Sequence, residues 1–222
     1  MTDQPVPPPS DAQAQPEPQA QPRGRSKFLD SAIEIATTVA LAVILYVVIQ
    51  TFIVQTYRVE QQSMLTTLQP DQHLLIDKLT PRFDDYSRGD IIVFHPPADF
   101  ESDGTPFIKR VIGVAGDHIE IHDNAVWVNG AKLDEPYVDP RFPIEAKEWD
   151  SIDVPPGDLI VMGDHRNASV DSRDFGPVPV ENVIGRAVLR FWPLDTLGII
   201  QTPTYPNVPL HPEGSPAASA AP

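Results

Sequence analysis

The 222 residues include no cysteine, which excludes disulfide staples, cysteine zinc sites and thiol catalysis and leaves oxygen or nitrogen as the nucleophilic atoms. A fold without disulfides is compatible with either redox compartment. Positive charge is scarce: 16 Lys and Arg stand against 31 Asp and Glu, a formal net charge of -15. Phosphate binding needs clustered cations that release counterions, so no nucleic-acid partner is expected. Glycine is sparse, 12 against 26 prolines. Short Val and Ile runs bounded by Pro, Gly, Asp and Asn read as strands and turns rather than helices. No internal repeat is visible, and the length left between the tails suits one anchored catalytic domain. The soluble part is therefore expected to be mainly β.

One long apolar run is present. Residues 35–57 carry no charge, and that length in a helix covers the roughly 30 Å of a bilayer's hydrocarbon core. The alternative, a buried helix of the globular domain, is disfavoured because a helix apolar on every face over that length has no soluble surface to show. A cleavable signal sequence would have a shorter apolar region, roughly 7 to 15 residues, followed by Ala-x-Ala, and none follows here. The chain is thus divided into a disordered cytoplasmic tail (1–26, rich in Pro, Gln and Ala), a transmembrane anchor with a basic flank (27–56), an extracytoplasmic domain (57–201) and a disordered C-terminal tail (202–222). Arg23, Arg25 and Lys27 precede the run while Arg58 alone closely follows it. That bias places the N-terminus in the cytoplasm and the domain outside the cell membrane. Strands are expected near 57–61, 73–78, 90–94, 107–115, 118–122, 125–128, 158–162 and 183–191, with tight turns at Asp123-Asn124 and Asn129-Gly130.

Three clusters have chemical potential. VEQQSMLTTL (59–68) sets Ser63 close behind the apolar run, although a serine in a turn is more often structural. FIKRVIGVAGDHIEI (107–121) interrupts an apolar strand with Lys109 and Arg110. Alternation puts Phe107, Lys109 and Val111 on one face and Ile108, Arg110 and Ile112 on the other. Either both cations snorkel along an edge strand, or Lys109 is desolvated, loses charge near neutral pH and accepts a proton from a serine. GDHRNASVDSRDFGPV (163–178) follows the apolar run DLIVM and presents Ser169, Asp171, Ser172 and Arg173 within five positions. It reads either as a solvated loop or as a support that orients the lysine strand.

In this order behind an anchor, the clusters resemble the type I signal peptidase family, which uses a Ser-Lys dyad on a β-rich domain. Ser63-Met64 with Thr67-Leu68 is similar to its S-M-x-P-T-L box, and Arg88 to Phe94 to its R-G-D-I-V-V-F strand. Lys109 to Gly113 with Gly116-Asp117 is similar to K-R-V-I-G-x-P-G-D, and Gly163 to Arg173 to G-D-N-R-x-x-S-x-D-S-R. Three such boxes in order are a specific signal. The resemblance implies a membrane-bound serine endopeptidase that removes signal peptides from exported preproteins, working beside the export machinery and needing no cofactor or metal. It implies Ser63 as nucleophile, Lys109 as general base, Ser169 as hydrogen-bond partner of Lys109, and an Asp171–Arg173 salt bridge in support. Tyr57, Val59, Leu68 and Ile108 fall where the family lines shallow pockets, which would select small residues in an Ala-x-Ala pattern.

The chain also departs from the pattern. Glu60, Gln61 and Gln62 stand where many members have P-S-x before the nucleophile, so the usual oxyanion hydroxyl is missing and the Gln61 carboxamide is the candidate replacement. Thr66 and Ala115 replace prolines of the boxes, and His165 replaces asparagine. Two further enzymatic readings remain open at this stage. His165 beside Asp164 suggests a Ser-His-Asp hydrolase, with His73, His95, His118 and His122 also available. HIEIH sets His118, Glu120 and His122 on one strand face, which could hold a metal, although surface histidines on a hairpin are commoner. The SOS-repressor autoproteases also use a Ser-Lys dyad but are cytosolic DNA binders. A catalytically impaired, anchored protein that binds exported segments is the non-enzymatic alternative.

Overall fold

The computed structural model describes residues 27–209 apart from Glu148. The expected disorder of 1–26 and 210–222 concerns residues outside that set. The chain forms two compact units, one ending at Ile44 and the other beginning at Leu45.

Over its described residues the first unit is helical, within α1 (Lys27–Val48). The apolar stretch Leu29–Ile53 spans 25 residues with a mean hydropathy of 2.4, and none of its most apolar window is buried. It is the one helix among the described residues that is long and apolar enough to cross a bilayer. A helix apolar on all faces and exposed throughout suits lipid as its solvent.

The C-terminal limit of the anchor needs correction. α1 stops at Val48, a π-helical turn covers Ile49–Ile53 and a strand, β1 (Val54–Arg58), begins inside the segment expected to be helix to residue 56. The run Ile53-Val54-Gln55-Thr56 is rich in β-branched residues, which favour the pleated conformation once a partner strand is available. The partner is β2 (His73–Asp77), paired antiparallel with Val54 opposite Asp77.

The second unit is built from β1, β2 and ten further strands: β3 (Ile91–Phe94), β4 (Phe107–Gly113), β5 (His118–His122), β6 (Ala125–Val128), β7 (Ala131–Lys132), β8 (Ser151–Asp153), β9 (Asp158–Met162), β10 (Val178–Pro179), β11 (Val183–Trp192) and β12 (Gly198–Ile199). A short helix, α2 (Ser172–Phe175), lies between β9 and β10. Eight strands form one antiparallel sheet in the order β1-β2-β11-β3-β4-β9-β10, with β12 on β11; four form a second, β7-β6-β5-β8. The expected strands are present to within a few residues. Sequence periodicity missed β7, β8, β10 and β12, which are two or three residues long and too short to show a period.

Both expected tight turns are present. Asp123 and Asn124 lie at φ 51° and 56°, and Asn129 and Gly130 at φ 53° and 75°, the left-handed pairs that match the twist of a two-residue hairpin. Strand alternation divides the core around β4. Val111 packs with Ile92, Phe94 and Val161 on one side, while Ile91 and Val93 pack with Val59, Met64 and Leu68 on the other. A third cluster joins Ile112 and Met162 to Ile119, Val126 and Val128 of the smaller sheet.

A second correction concerns residues 202–209, expected to be disordered. Val208 is 6% exposed and packs in the third cluster beside Tyr205. Tyr205 Oη lies 2.8 Å from Tyr137 Oη, and Thr202 Oγ1 donates to Asp90 at 2.7 Å. The segment has no regular secondary structure and turns at Tyr205–Val208, where Val208 N–H donates to Tyr205 O at 3.1 Å; the fixed φ of its prolines lowers the entropy cost of ordering it.

Candidate active site

Ser63 sits in the turn that leaves β1. Val59 N–H donates to Gln72 O at 2.8 Å, Leu65 N–H to Gln62 O at 3.1 Å and Leu68 N–H to Met64 O at 2.8 Å, so the turn is closed locally. Met64 and Leu68, both fully buried, hold it against the core. Its position relative to the 163–173 segment is set by His165 N–H, which donates to Ser63 O at 3.0 Å.

Lys109 arrives from the opposite direction. β4 is an interior strand, between β3 and β9, so the expectation of edge-strand snorkelling fails for both cations: Lys109 is 1% exposed and Arg110 2%. Lys109 Nζ lies 2.8 Å from Ser63 Oγ, and the serine itself is 6% exposed. The Phe107 ring, two residues earlier on the same face, lies 5.1 Å from the amine. Burial is the main influence and lowers the pKa of Lys109 to about 8; the carboxylates of Asp171, Asp164 and Asp174 pull it back up, and Lys147 opposes them. A neutral amine beside a hydroxyl is therefore attainable near physiological pH.

The 163–174 segment braces this pair. Asp171 forms a two-pronged ion pair with Arg173, Nε to Oδ1 and Nη2 to Oδ2, each 2.8 Å. Burial would raise the Asp171 carboxyl, but Arg173 and the Gly163 N–H, which donates at 3.0 Å, hold it below its usual value. Asp171 also caps α2, with Asp174 bonding back to the Asp171 N–H in a capping box. Lys147 donates to Ser169 O at 2.7 Å and to Asp174 at 2.7 and 2.9 Å. The expected Lys109–Ser169 hydrogen bond is not made: the amine bonds Ser63, and the buried Ser169 hydroxyl instead favours the ionised Asp171 carboxyl.

Beside Ser63 opens a cavity of about 270 Å³, lined by Tyr57, Val59, Gln61, Met64, Pro106 and Ile108 among others. Three of the four expected pocket residues are there. Leu68 is not: it is fully buried in the core and borders a separate cavity with Arg110 and Tyr137. It lies one helical-type turn beyond Met64, which takes the pocket position.

Comparison with known proteins decides the family. The sequence profile described as "Signal peptidase, peptidase S26" matches residues 32–192. The chain belongs to that family. It is a serine endopeptidase of the signal peptidase I type. Curated relatives include a signal peptidase I from Leptolyngbya laminosa, 39% identical over 170 residues that cover 75% of this chain and 82% of the relative. Another is a probable signal peptidase I-2 from Synechocystis sp., 39% identical over 170 residues, 76% and 77% of the two chains. A crystal structure of a signal peptidase I from Enterococcus faecalis shares 32% identity and a TM-score of 0.38, covering 46% of this chain and 97% of that one.

Two features of this signal peptidase chain escaped sequence reasoning. Gly163 reads in sequence as a turn glycine, yet what it provides is room: a Cβ there would lie 2.5 Å from Ser63 O and 2.3 Å from Ser169 Oγ. Arg110 and Asp164 form a buried fork at 2.8 and 2.7 Å, to which Thr67 Oγ1 adds a 2.5 Å bond. This ties the serine turn, the lysine strand and the 163–173 loop together. The adjacency of Arg110 to Lys109 and of Asp164 to Gly163 was the available signal. The histidines do not assemble a triad: the His165 ring packs on Phe142 with Nδ1 unpartnered, His118 bonds Asp153 at 2.6 Å, and His122 stacks on Trp127. Among the described residues no group of three or more His, Asp or Glu is placed to hold a metal.

Proposed function

We propose that this chain removes N-terminal signal peptides from exported preproteins, with Ser63 as nucleophile and Lys109 as general base. The observation that carries the reading is the 2.8 Å contact between two buried groups, Lys109 Nζ and Ser63 Oγ. With the amine neutral, the hydroxyl donates to its lone pair, and Oγ attacks the scissile carbonyl as the proton passes to Nζ. The ammonium then returns that proton to the departing amine, leaving an acyl-enzyme ester. Lys109 next takes a proton from water as the water oxygen attacks the ester. The C–Oγ bond then breaks with the proton passing from Nζ to Ser63 Oγ, which releases the signal peptide and restores the starting pair.

The developing oxyanion needs donors. Ser63 N–H and the exposed Gln61 carboxamide at the cavity rim are the candidates, and losing one such donor typically costs about 100 to 1000-fold in rate. Asp171 and Arg173 act by position: they fix the loop whose Gly163 and His165 touch the serine turn. Ser169 lies close enough to Gly163 to belong to the same support. The cavity beside β1, an edge strand, suits an extended segment added as a further strand with small side chains facing Val59 and Ile108, the Ala-x-Ala pattern. The helical anchor would hold the enzyme in the cell membrane with its N-terminus cytoplasmic and the domain outside, beside the export machinery.

The test is cleavage. Full-length protein in detergent, given a presequence with Ala-x-Ala, should cut after the second alanine, and Ser63→Ala should abolish cutting while binding the peptide. Binding without cleavage by the unmodified protein would leave the anchored binding module as the surviving alternative.

A further inference from the structure

The stretch 145–149, between β7 and β8, lies outside every box that carries the family resemblance, yet alternate residues of it grip the segment that braces the dyad. Arg173 Nη1 donates to Glu145 O at 3.2 Å, and Trp149 Nε1 donates to Ser172 O at 2.9 Å. Between them Lys147 Nζ donates to Ser169 O at 2.7 Å and to the two Asp174 oxygens at 2.9 and 2.7 Å. All three protons of the ammonium are therefore used. Lys147 also lines a cavity of about 660 Å³ that Ser63, Phe107 and Ser169 border.

The charges around Lys109 come in pairs. From the 163–174 segment, Asp164 is bound by Arg110, Asp171 by Arg173 and Asp174 by Lys147. β3 meets Lys109 with Ile92, and β9 lies along β4 with Val161 and Met162, none of which titrates. Glu60 of the serine turn faces the cavity along β1, Glu101 and Asp103 line the one with Lys147, and the His165 ring packs on Phe142. The two arginines are fully buried, so removing either would strand a buried carboxylate. The Lys147 and Asp174 side chains are 32% and 27% exposed, which makes theirs the pair of the three that can be altered one charge at a time.

We propose that Lys147 is a positioning residue for Lys109: it pins the segment that carries Ser169 and Asp171, and with Asp174 it forms a balanced pair whose members bias the charge of Lys109 in opposite directions. The proposal rests on Lys109 being the general base. Asp174 favours the Lys109 ammonium and Lys147 disfavours it. Neutralising Lys147 removes the opposing charge and leaves Asp174 uncompensated, and both changes stabilise the ammonium. Neutralising Asp174 does the reverse. Because the base works as the neutral amine, the pH at which the enzyme becomes active should rise in the first case and fall in the second.

The experiment measures kcat/KM of the full-length enzyme in detergent on one presequence peptide across a pH series. Lys147→Gln should move the midpoint up by about 0.5 pH unit and cut the rate at pH 7, relative to the plateau, about three-fold. Asp174→Asn keeps an oxygen to cap α2; it should move the midpoint down by about as much and raise that fraction about two- to three-fold. Lys147→Arg keeps the charge and the donors and should leave the midpoint in place. The double variant Lys147→Gln, Asp174→Asn should return it to within about 0.2 unit of the unmodified enzyme, since the pair is removed as a neutral unit. A pin without electrostatic effect would lower the plateau and leave the midpoint fixed. That result, or single variants that both shift the same way, would overturn the proposal. If Lys147→Gln does not fold, the downward shift in Asp174→Asn and the fixed midpoint in Lys147→Arg still decide it. Lys109→Arg separates the two levels. If it is inactive while the midpoints stay fixed, the charge balance alone is wrong; if it cleaves like the unmodified enzyme, the assignment of the base fails first.

Discussion

At the scale of single residues the decisive quantity is the free energy of charging Lys109. The lowered pKa of about 8 means that the amine is protonated, and useless as a base, in acid, and neutral above that value. Turnover of a presequence peptide should therefore rise about tenfold per pH unit below 8 and level off above it, standing near one-tenth of its plateau at pH 7. Lys109→Arg keeps the charge but cannot shed its proton in that range, so it should fold and remain inactive at every pH tested. His165→Ala should keep most activity, because its backbone N–H and not its ring touches the serine turn. A pH series on the three proteins checks this, and activity that is lost with His165→Ala and kept by Lys109→Arg would transfer the proton to the imidazole.

At the scale of elements, β4 shows how much periodicity can say. Alternation set Lys109 and Arg110 on opposite faces among apolar neighbours, which leaves out the Asp164 and Thr67 that meet Arg110 in the fold. Whether the two cations were buried depended on β3 and β9 flanking the strand, pairings made with residues 13 to 52 positions away and invisible to a local pattern. The C-terminal segment gives the converse lesson, since its proline-rich composition suggested disorder, yet residues 202–209 pack through Tyr205 and Val208. Ending the chain after Gln201 should lower the stability of the domain by about 2 to 4 kcal/mol, the burial of one valine and part of a tyrosine. Denaturant unfolding of the detergent-solubilised protein would measure it, and an unchanged midpoint would mean that the segment packs without stabilising.

At the scale of the whole molecule the outstanding prediction is topology. The chain has no cysteine, so Ser151→Cys, on an exposed position of β8, introduces a single thiol. In intact cells it should react with a membrane-impermeant reagent; labelling only after lysis would reverse the orientation. Hydropathy, strand alternation and the order of three short boxes are local properties, and they were sufficient for the anchor, the mainly β domain and the family. They also brought Ser63, Lys109, Asp171 and Arg173 to notice, because residue type and spacing carry the resemblance. What the fold decided was contact: that Lys109 bonds Ser63 and not Ser169, that Leu68 leaves the pocket for the core, that Gly163 is needed for space, and that Arg110 and Asp164 clamp three segments together. Each of these is a distance between atoms far apart along the chain. Such distances follow from how packed strands close on one another, and a one-dimensional pattern does not contain them.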